Sequence, residues 1–359
     1  MGLIRLFLAI AVVLAHNGIQ VAGIDGSLSV SAFFIISGFY MALVLNEKYQ
    51  DNIAGFYGAR FLRLWPSYII VFGAVLIFIA PMTPSIYAST GAAIATWASA
   101  ITMFFYNVLW WFGVDAATGK IVFYAAQRVS TDGPAFVNAT HMEHMWSVGI
   151  EITFYIVAPF LARKPKAILI SLGMAFLLHL AIMSDLYPLF PLQGRSATNF
   201  FWLFLLGMAA YWASVEFNPT ISKVKLNPQW ISLAGVVLTA FVIAGLQKYD
   251  RNQYISAGLF VIFATSLILV FQATRLSRID QAIGNLSYPI YLVHWPIVSI
   301  LIINHRSSWM WSLLIAGISL VCAAILYFCV DQQVEKFRRR LANRTIYTTA
   351  VGTKSATIH

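Results

Sequence analysis

Charge is what this sequence has least of: Asp, Glu, Lys and Arg make up 10% of its 359 residues, where a soluble domain carries about 25%. Hydrophobic residues make up 60% and the mean hydropathy is +0.77. A single core in water cannot absorb that much apolar surface, so a bilayer must supply the rest of the apolar environment. Cysteine is also scarce. Cys322 and Cys329 are the two present, and at seven residues apart on one helix their Cα atoms lie roughly 10 Å apart, too far for a disulfide. No zinc-type Cys/His spacing and no glycine-rich nucleotide loop occurs. The net charge of +10 does not form one patch. Its basic residues sit in short clusters between apolar runs, which is a topology pattern and not a nucleic-acid surface.

What is abundant is long apolar runs. A spanning helix needs about 20 mostly apolar residues, and such segments are read at 4–22, 28–45, 64–82, 146–162, 167–185, 197–214, 230–247, 253–272, 284–303 and 308–330. One more apolar run, 91–112, is decided by charge. With a cytoplasmic N-terminus and 91–112 not crossing, 17 of the 23 Lys and Arg face the cytoplasm; if it crosses, the split becomes 10 inside against 13 outside. The positive-inside bias favours the first arrangement. The expectation is an all-α polytopic membrane protein of about ten transmembrane helices. Its N- and C-termini are cytoplasmic, and 91–112 is a re-entrant or interfacial segment within an external excursion to about residue 145. Val13-Leu14-Ala15 would pass as a signal-peptide cleavage triplet, but the first helix is kept because candidate functional residues lie in it. Residues 1–340 form the membrane domain, and 341–359 a polar, disordered cytoplasmic tail.

Ionisable residues inside a bilayer are expensive and are functional candidates by default. His16, Glu151 and His294 stand out. At about 1.5 Å per residue they lie roughly 16–19 Å from the cytoplasmic ends of their helices, one common level near the midplane. A buried histidine bonded to a carbonyl, or a structural acid, would explain His294 and Glu151 equally well. Arg5 lies eleven residues before His16, close to three full turns, so both project from one face of the first helix. That stripe suggests a path inward, although Arg5 alone would serve as a topology anchor. Arg60 and Arg63, at i and i+3, share a helix face, and two guanidinium forks side by side suit a polyphosphate. Spacing alone favours the simpler reading, a cytoplasmic helix end. Ser37-Gly38 permits either a polar contact to a ligand or close helix packing.

Together these segments resemble the integral-membrane acyltransferase family 3, the O-acetylase type that modifies surface polysaccharides. The matching segments run in order: Arg5 with His16, FFIISGFYM at 33–41, RFLRLWP at 60–66, HMWSVGIEITFY at 144–155, GNLSYPIYLVHWPI at 284–297 and VEKFRR at 334–339. The resemblance implies a bacterial cytoplasmic-membrane enzyme with no permanently bound cofactor. Its co-substrate would be acyl-CoA (acetyl-CoA) from the cytoplasm, and its acceptor a hydroxyl of a glycan or lipid-linked sugar. It further implies His16 as base or acyl relay, Arg60 and Arg63 on the donor phosphates, and Arg5 and Glu335 at the same cytoplasmic mouth. Ser31 departs from the family pattern, where a more polar or acidic residue often precedes the aromatic pair. The extracytoplasmic hydrolase-like domain of some relatives is not in this sequence, so the chain is expected to act alone or hand its acyl group to a separate protein.

Two other function classes fit ten helices with midplane His and Glu: a proton-coupled carrier, and a non-catalytic polysaccharide-export component. No inverted repeat supports the carrier. Substrate-dependent release of free thiol from acetyl-CoA separates the enzyme from both.

Overall fold

The computed structural model describes residues 1–19, 21–79, 89–115, 120–123, 135–184, 195–221, 227–249, 252–301 and 309–338. The expected tail at 341–359 lies outside them. Twelve α-helices are described: α1 Gly2–His16, α2 Gly26–Glu47, α3 Ile53–Phe78, α4 Thr90–Thr102, α5 Trp146–Leu161, α6 Pro165–Met183, α7 Ala197–Ile221, α8 Pro228–Lys248, α9 Gln253–Thr274, α10 Arg278–Asn285, α11 Ser287–Leu301 and α12 Trp309–Leu326. Among the described residues, eight helical segments are long and apolar enough to cross a membrane: α2, α3, Glu143–Leu161, α6, the Ala197–Phe217 part of α7, α8, α9, and Trp309–Arg338. The protein is thus a multi-pass, helical membrane protein. A two-stranded antiparallel hairpin, β1 Phe112–Val114 with β2 Ile121–Phe123, is a small departure from the all-α expectation.

Four boundaries differ from those expected. The first helix stops at His16 instead of reaching residue 22. Gly18 takes a left-handed φ of +79°, its N–H donates to Ala15 O at 3.1 Å, and Ile19 N–H donates to Leu14 O at 3.2 Å. This paired closure uses a left-handed glycine to satisfy the last carbonyls of a helix. The third helix starts at Ile53, not 64, capped by the Asn52 side chain, which accepts from Gly55 N–H. The helix expected over 284–303 begins at Ser287 as α11, and residues 284–285 belong instead to the separate short helix α10 before it. The last expected helix continues beyond Leu326 as a π-helical turn, Tyr327–Asp331.

The run 91–112 contains α4, whose 13 residues extend about 20 Å, less than the roughly 30 Å of a hydrocarbon core. Left-handed residues Met103 (φ +62°) and Phe105 (φ +55°) end it. A short helical turn, Tyr106–Trp110, then packs against α5, where Gly149 leaves room for Tyr106. The α4 backbone is tied to α3, since Trp65 Nε1 donates to Ile101 O at 2.9 Å and Tyr68 Oη to Ala100 O at 2.5 Å.

Helices α2 and α7 cross in close backbone contact. A Cβ on Gly38 would sit 1.9 Å from Phe204 O, and one on Gly207 would sit 1.9 Å from Ile35 O. Each glycine therefore faces the other helix's backbone, the small-residue device by which helices in lipid gain close contact. Phe34 and Phe204, at a centroid distance of 4.7 Å, and Phe204 with Phe154 at 4.2 Å extend the contact to α5. Gly38→Ala and Gly207→Ala should each cost about 1–3 kcal/mol by forcing backbones apart. Gly73→Ala, with nothing within 4 Å of its Cβ, should be neutral. Thermal unfolding in detergent checks all three, and equal midpoints would remove this crossing as a stability determinant.

Candidate active site

The start of α1 is held by a residue from a distant segment. Asp280 of α10 accepts hydrogen bonds from Gly2 N–H at 2.7 Å and Leu3 N–H at 3.1 Å, and from the Met1 amino group at 2.7 Å. The Met1 amino group also donates to Thr274 Oγ1 at 2.6 Å. Three donors at a helix start are thus satisfied by one carboxylate and one hydroxyl. Burial pushes the Asp280 carboxyl up, but these donors outweigh it and hold its pKa below the ordinary carboxylate value. Burial meanwhile lowers the pKa of the Met1 ammonium, so the backbone N–H groups carry part of the attraction.

A cavity of about 1180 Å³ opens beside this junction, larger than most small-molecule pockets. Arg5, Ser37, Arg60, Arg63, Glu151 and Glu335 all line it, which brings six of the eight residues singled out in the sequence to one place. Because α3 begins at Ile53, the arginine pair lies in its second and third turns and not at its end. Arg60 packs over Phe56 and Tyr155, with Cζ 5.5 and 5.8 Å from their ring centroids. Its buried Nε has no hydrogen-bond partner among the described residues. Arg5 sits 6.0 Å from the Tyr40 ring. Glu335 forms an ion pair with Arg338 at 3.0 Å. Glu151 Oε1 accepts from the Ser37 hydroxyl and, at 2.6 Å, from Tyr155 Oη. At Ser37-Gly38 the glycine allows close helix packing, and the serine hydroxyl is bonded to Glu151.

His16 and His294 do not line the cavity. They lie together behind Tyr291 and Ser147, which do, with ring centroids 5.2 Å apart. Shared depth thus brings the two histidines into contact but leaves Glu151 bonded to Ser37 and Tyr155. His16 Nδ1 is 2.9 Å from Val12 O, one turn back on α1. His294 Nδ1 is 2.6 Å from Tyr291 O. A carbonyl only accepts, so both rings carry their proton on Nδ1 and present Nε2 as a lone-pair acceptor. His294 is fully buried and its Nε2 has no partner among the described residues.

A third imidazole, His144, completes the group, with its centroid 5.0 Å from His294. It is buried and neither ring nitrogen makes a hydrogen bond among the described residues. Tyr291 Oη bridges this cluster to the cavity wall, 2.7 Å from Ser147 Oγ and 2.5 Å from His144 O. Trp295 closes one side, edge-on to His16 at 4.9 Å, with its indole N–H donated to Glu143. His144, Tyr291 and Trp295 lie in segments that carry the family resemblance but were assigned no role there, and Asp280 was not singled out. His144 precedes its helix in a short 3-10 turn, so no helical spacing pointed to it. No group of three His, Cys, Asp or Glu suited to a metal occurs among the described residues.

The geometry is that of an integral-membrane protein with a large, arginine-lined cavity and a separate buried cluster of three imidazoles. The chain belongs to the acyltransferase family described as "Acyltransferase domain", whose model matches residues 1–329. It is 27% identical over 328 residues to O-acetyltransferase OatA of Staphylococcus aureus strain NCTC 8325 / PS 47, a match covering 82% of this chain and 49% of that protein. It is 28% identical over 327 residues to peptidoglycan O-acetyltransferase OatA of Listeria monocytogenes serovar 1/2a strain ATCC BAA-679 / EGD-e, covering 83% of this chain and 49% of that protein. The chain therefore spans about half the length of these curated relatives. No solved structure matches it.

The Asp280 junction carries a pH signature. Because its pKa is depressed on folding, its stabilisation is fully present above the unfolded value of about 3.9 and is lost as pH falls through the folded value. Asp280→Asn should cost about 0.5–2 kcal/mol at neutral pH, the scale of a lost helix cap. The gap from wild type should close below about pH 4. Unfolding midpoints measured from pH 3 to 7 check this, and a gap independent of pH would refute it.

Proposed function

We propose that the chain is a membrane O-acetyltransferase that moves an acetyl group from a cytoplasmic acyl-CoA to a hydroxyl of a peptidoglycan-like surface glycan. The observation that carries this reading is the pairing of the arginine-lined cavity with a histidine base just behind its wall. Support comes from the family and from the O-acetyltransferase names of the relatives. In this reading the cavity holds the donor. Arg60 and Arg63 meet its phosphates with two bidentate forks, and Arg5 and Glu335 line the same mouth. Ser37 and Tyr155 hold Glu151 as an acceptor beside the arginines.

His16 Nε2 takes the proton of the acceptor hydroxyl. The oxygen attacks the thioester carbonyl carbon, the C–S bond breaks, and the departing thiolate takes the proton back from the imidazolium. A positioned general base of this kind contributes typically 10²–10⁴-fold. The His16 hydrogen bond to Val12 O keeps the ring in the tautomer that the step needs. His294 packs against the ring and holds its orientation. Both termini are cytoplasmic and 113–145 is external, so donor and acceptor enter from opposite sides.

His16→Ala should lower acetyl transfer at least about 10²-fold while detergent stability and acetyl-CoA binding persist. Arg60→Lys and Arg63→Lys keep the charge but lose the fork, and should raise the apparent donor KM with kcat less affected. Free-thiol release with purified protein measures both. A folded, active His16→Ala, or arginine variants with unchanged donor KM, would sink the assignment.

A further inference from the structure

On the far side of the histidine cluster from the cavity lies a cation that the donor reading does not use. The Arg195 guanidinium stacks on Trp110, with Cζ 3.3 Å from the ring centroid, and Trp146 stands 5.5 Å away. Its backbone is fixed as well, because Asn107 Nδ2 donates to Arg195 O at 3.1 Å. Burial lowers its pKa to about 10, which leaves it charged at neutral pH. Among the described residues no carboxylate forms an ion pair with it within 4 Å; the Glu143 carboxyl, which accepts from the Trp295 indole N–H, is near enough for its charge to act on it. Two further buried polar atoms beside it are unpartnered among those residues: Asn107 Oδ1, on a side chain only 4% exposed, and Trp110 Nε1. Arg195 is near enough to His16 and Tyr291 for its charge to act on both.

We propose that Arg195, Trp110 and Asn107 form an acceptor subsite that recognises a carboxylate on the glycan beside the hydroxyl to be acylated. A guanidinium covered on one face by an indole keeps its in-plane N–H groups free, and that planar fork matches one carboxylate. A single cation suits a single negative charge. A pyrophosphate would call for a second, of the kind Arg60 and Arg63 form at the other end of the molecule. Asn107 Oδ1 accepts from a sugar hydroxyl or amide. The site thus selects an acidic sugar and sets its hydroxyl near His16.

This inference rests on the acetyltransferase reading, and the test separates the two. Purified full-length chain is given acetyl-labelled acetyl-CoA and one of two acceptors: an N-acetylglucosamine–N-acetylmuramic acid oligomer with free lactyl carboxylates, or the same oligomer with those carboxylates converted to methylamides. Wild type should use the carboxylate form with a kcat/KM at least about 10-fold higher, mainly through KM, the scale of a charged hydrogen bond. Arg195→Gln should lose that preference without changing the donor KM, and Arg195→Lys should keep part of it. Equal use of both acceptors by wild type overturns the subsite, as does an equal loss on both in Arg195→Gln. The wild-type comparison stands even if a variant fails to fold. Should neither oligomer be acetylated, the parent reading fails. Binding then decides the subsite: the carboxylated disaccharide should quench wild-type tryptophan fluorescence and its methylamide should not, and absence of that difference refutes it.

Discussion

Helix α1 is pinned at both ends, and the geometry of the site depends on that restraint. At its start, Asp280 collects the Gly2 and Leu3 N–H groups, and Gly2 packs so closely on α10 that a Cβ would fall 1.6 Å from Asp280 O. At its end, Gly18 closes the helix immediately after His16. Between the two anchors, Arg5 and His16 are separated by about 16 Å along one face. One rigid element therefore sets the distance from the charged cavity to the imidazole pair. Fifteen residues cover about 22 Å, short of the roughly 30 Å of a hydrocarbon core, and the last residue is turned toward α11.

Within an apolar surrounding, each polar group has to be satisfied or kept for work. The described residues divide along that line. Tyr288 Oη finds Leu64 O, Trp212 Nε1 finds Ala162 O and Thr239 finds Gly235 O, ordinary bonds that tie helices or satisfy a hydroxyl. Among the described residues, the exceptions are His144, His294 Nε2, Asn107 Oδ1, Trp110 Nε1 and Arg60 Nε, together with Asn17 Oδ1, Ser29 Oγ, Thr96 Oγ1, Trp202 Nε1 and Ser319 Oγ. Two of them, His144 and His294, touch Tyr291, and two more, Asn107 and Trp110, touch Arg195. Leaving several such groups unpaired in a native protein carries a cost of roughly 1–3 kcal/mol each, which a packing role does not require.

Much of this was legible in the sequence because lipid imposes length and sign on a chain. Apolar runs located the helices, and scarce midplane charges marked His16, Glu151 and His294. What stayed hidden had physical reasons. The stop at His16 turns on a left-handed Gly18 that the apolar run 4–22 masked. The early start of α3 was hidden because residues 53–63 are too mixed to count as apolar, although they are helical and carry the arginines into the cavity wall. Depth along a helix gave no azimuth, so Glu151 and the histidines shared a level without sharing a face. His144 and Arg195 lie in non-helical segments, where spacing carries no information and tertiary contacts decide the neighbours.

The two ends of the site differ in a way that chemistry can use. Toward α10, charge is plentiful and of both signs: Arg5, Arg60 and Arg63 line the wall with Glu151, Asp280 and Glu335. Toward the short turn at Tyr106–Trp110, charge is sparser: one guanidinium is held against indole, with the Glu143 carboxyl near enough to act on it. A highly charged, multidentate ligand is matched by the first environment and penalised by the second, whereas a mostly neutral sugar with one acidic group is matched by the second. The imidazoles stand between them, kept from the cavity by Tyr291 and Ser147. Two substrates of opposite character would then meet only at that partition, and each would be excluded from the other's side by desolvation.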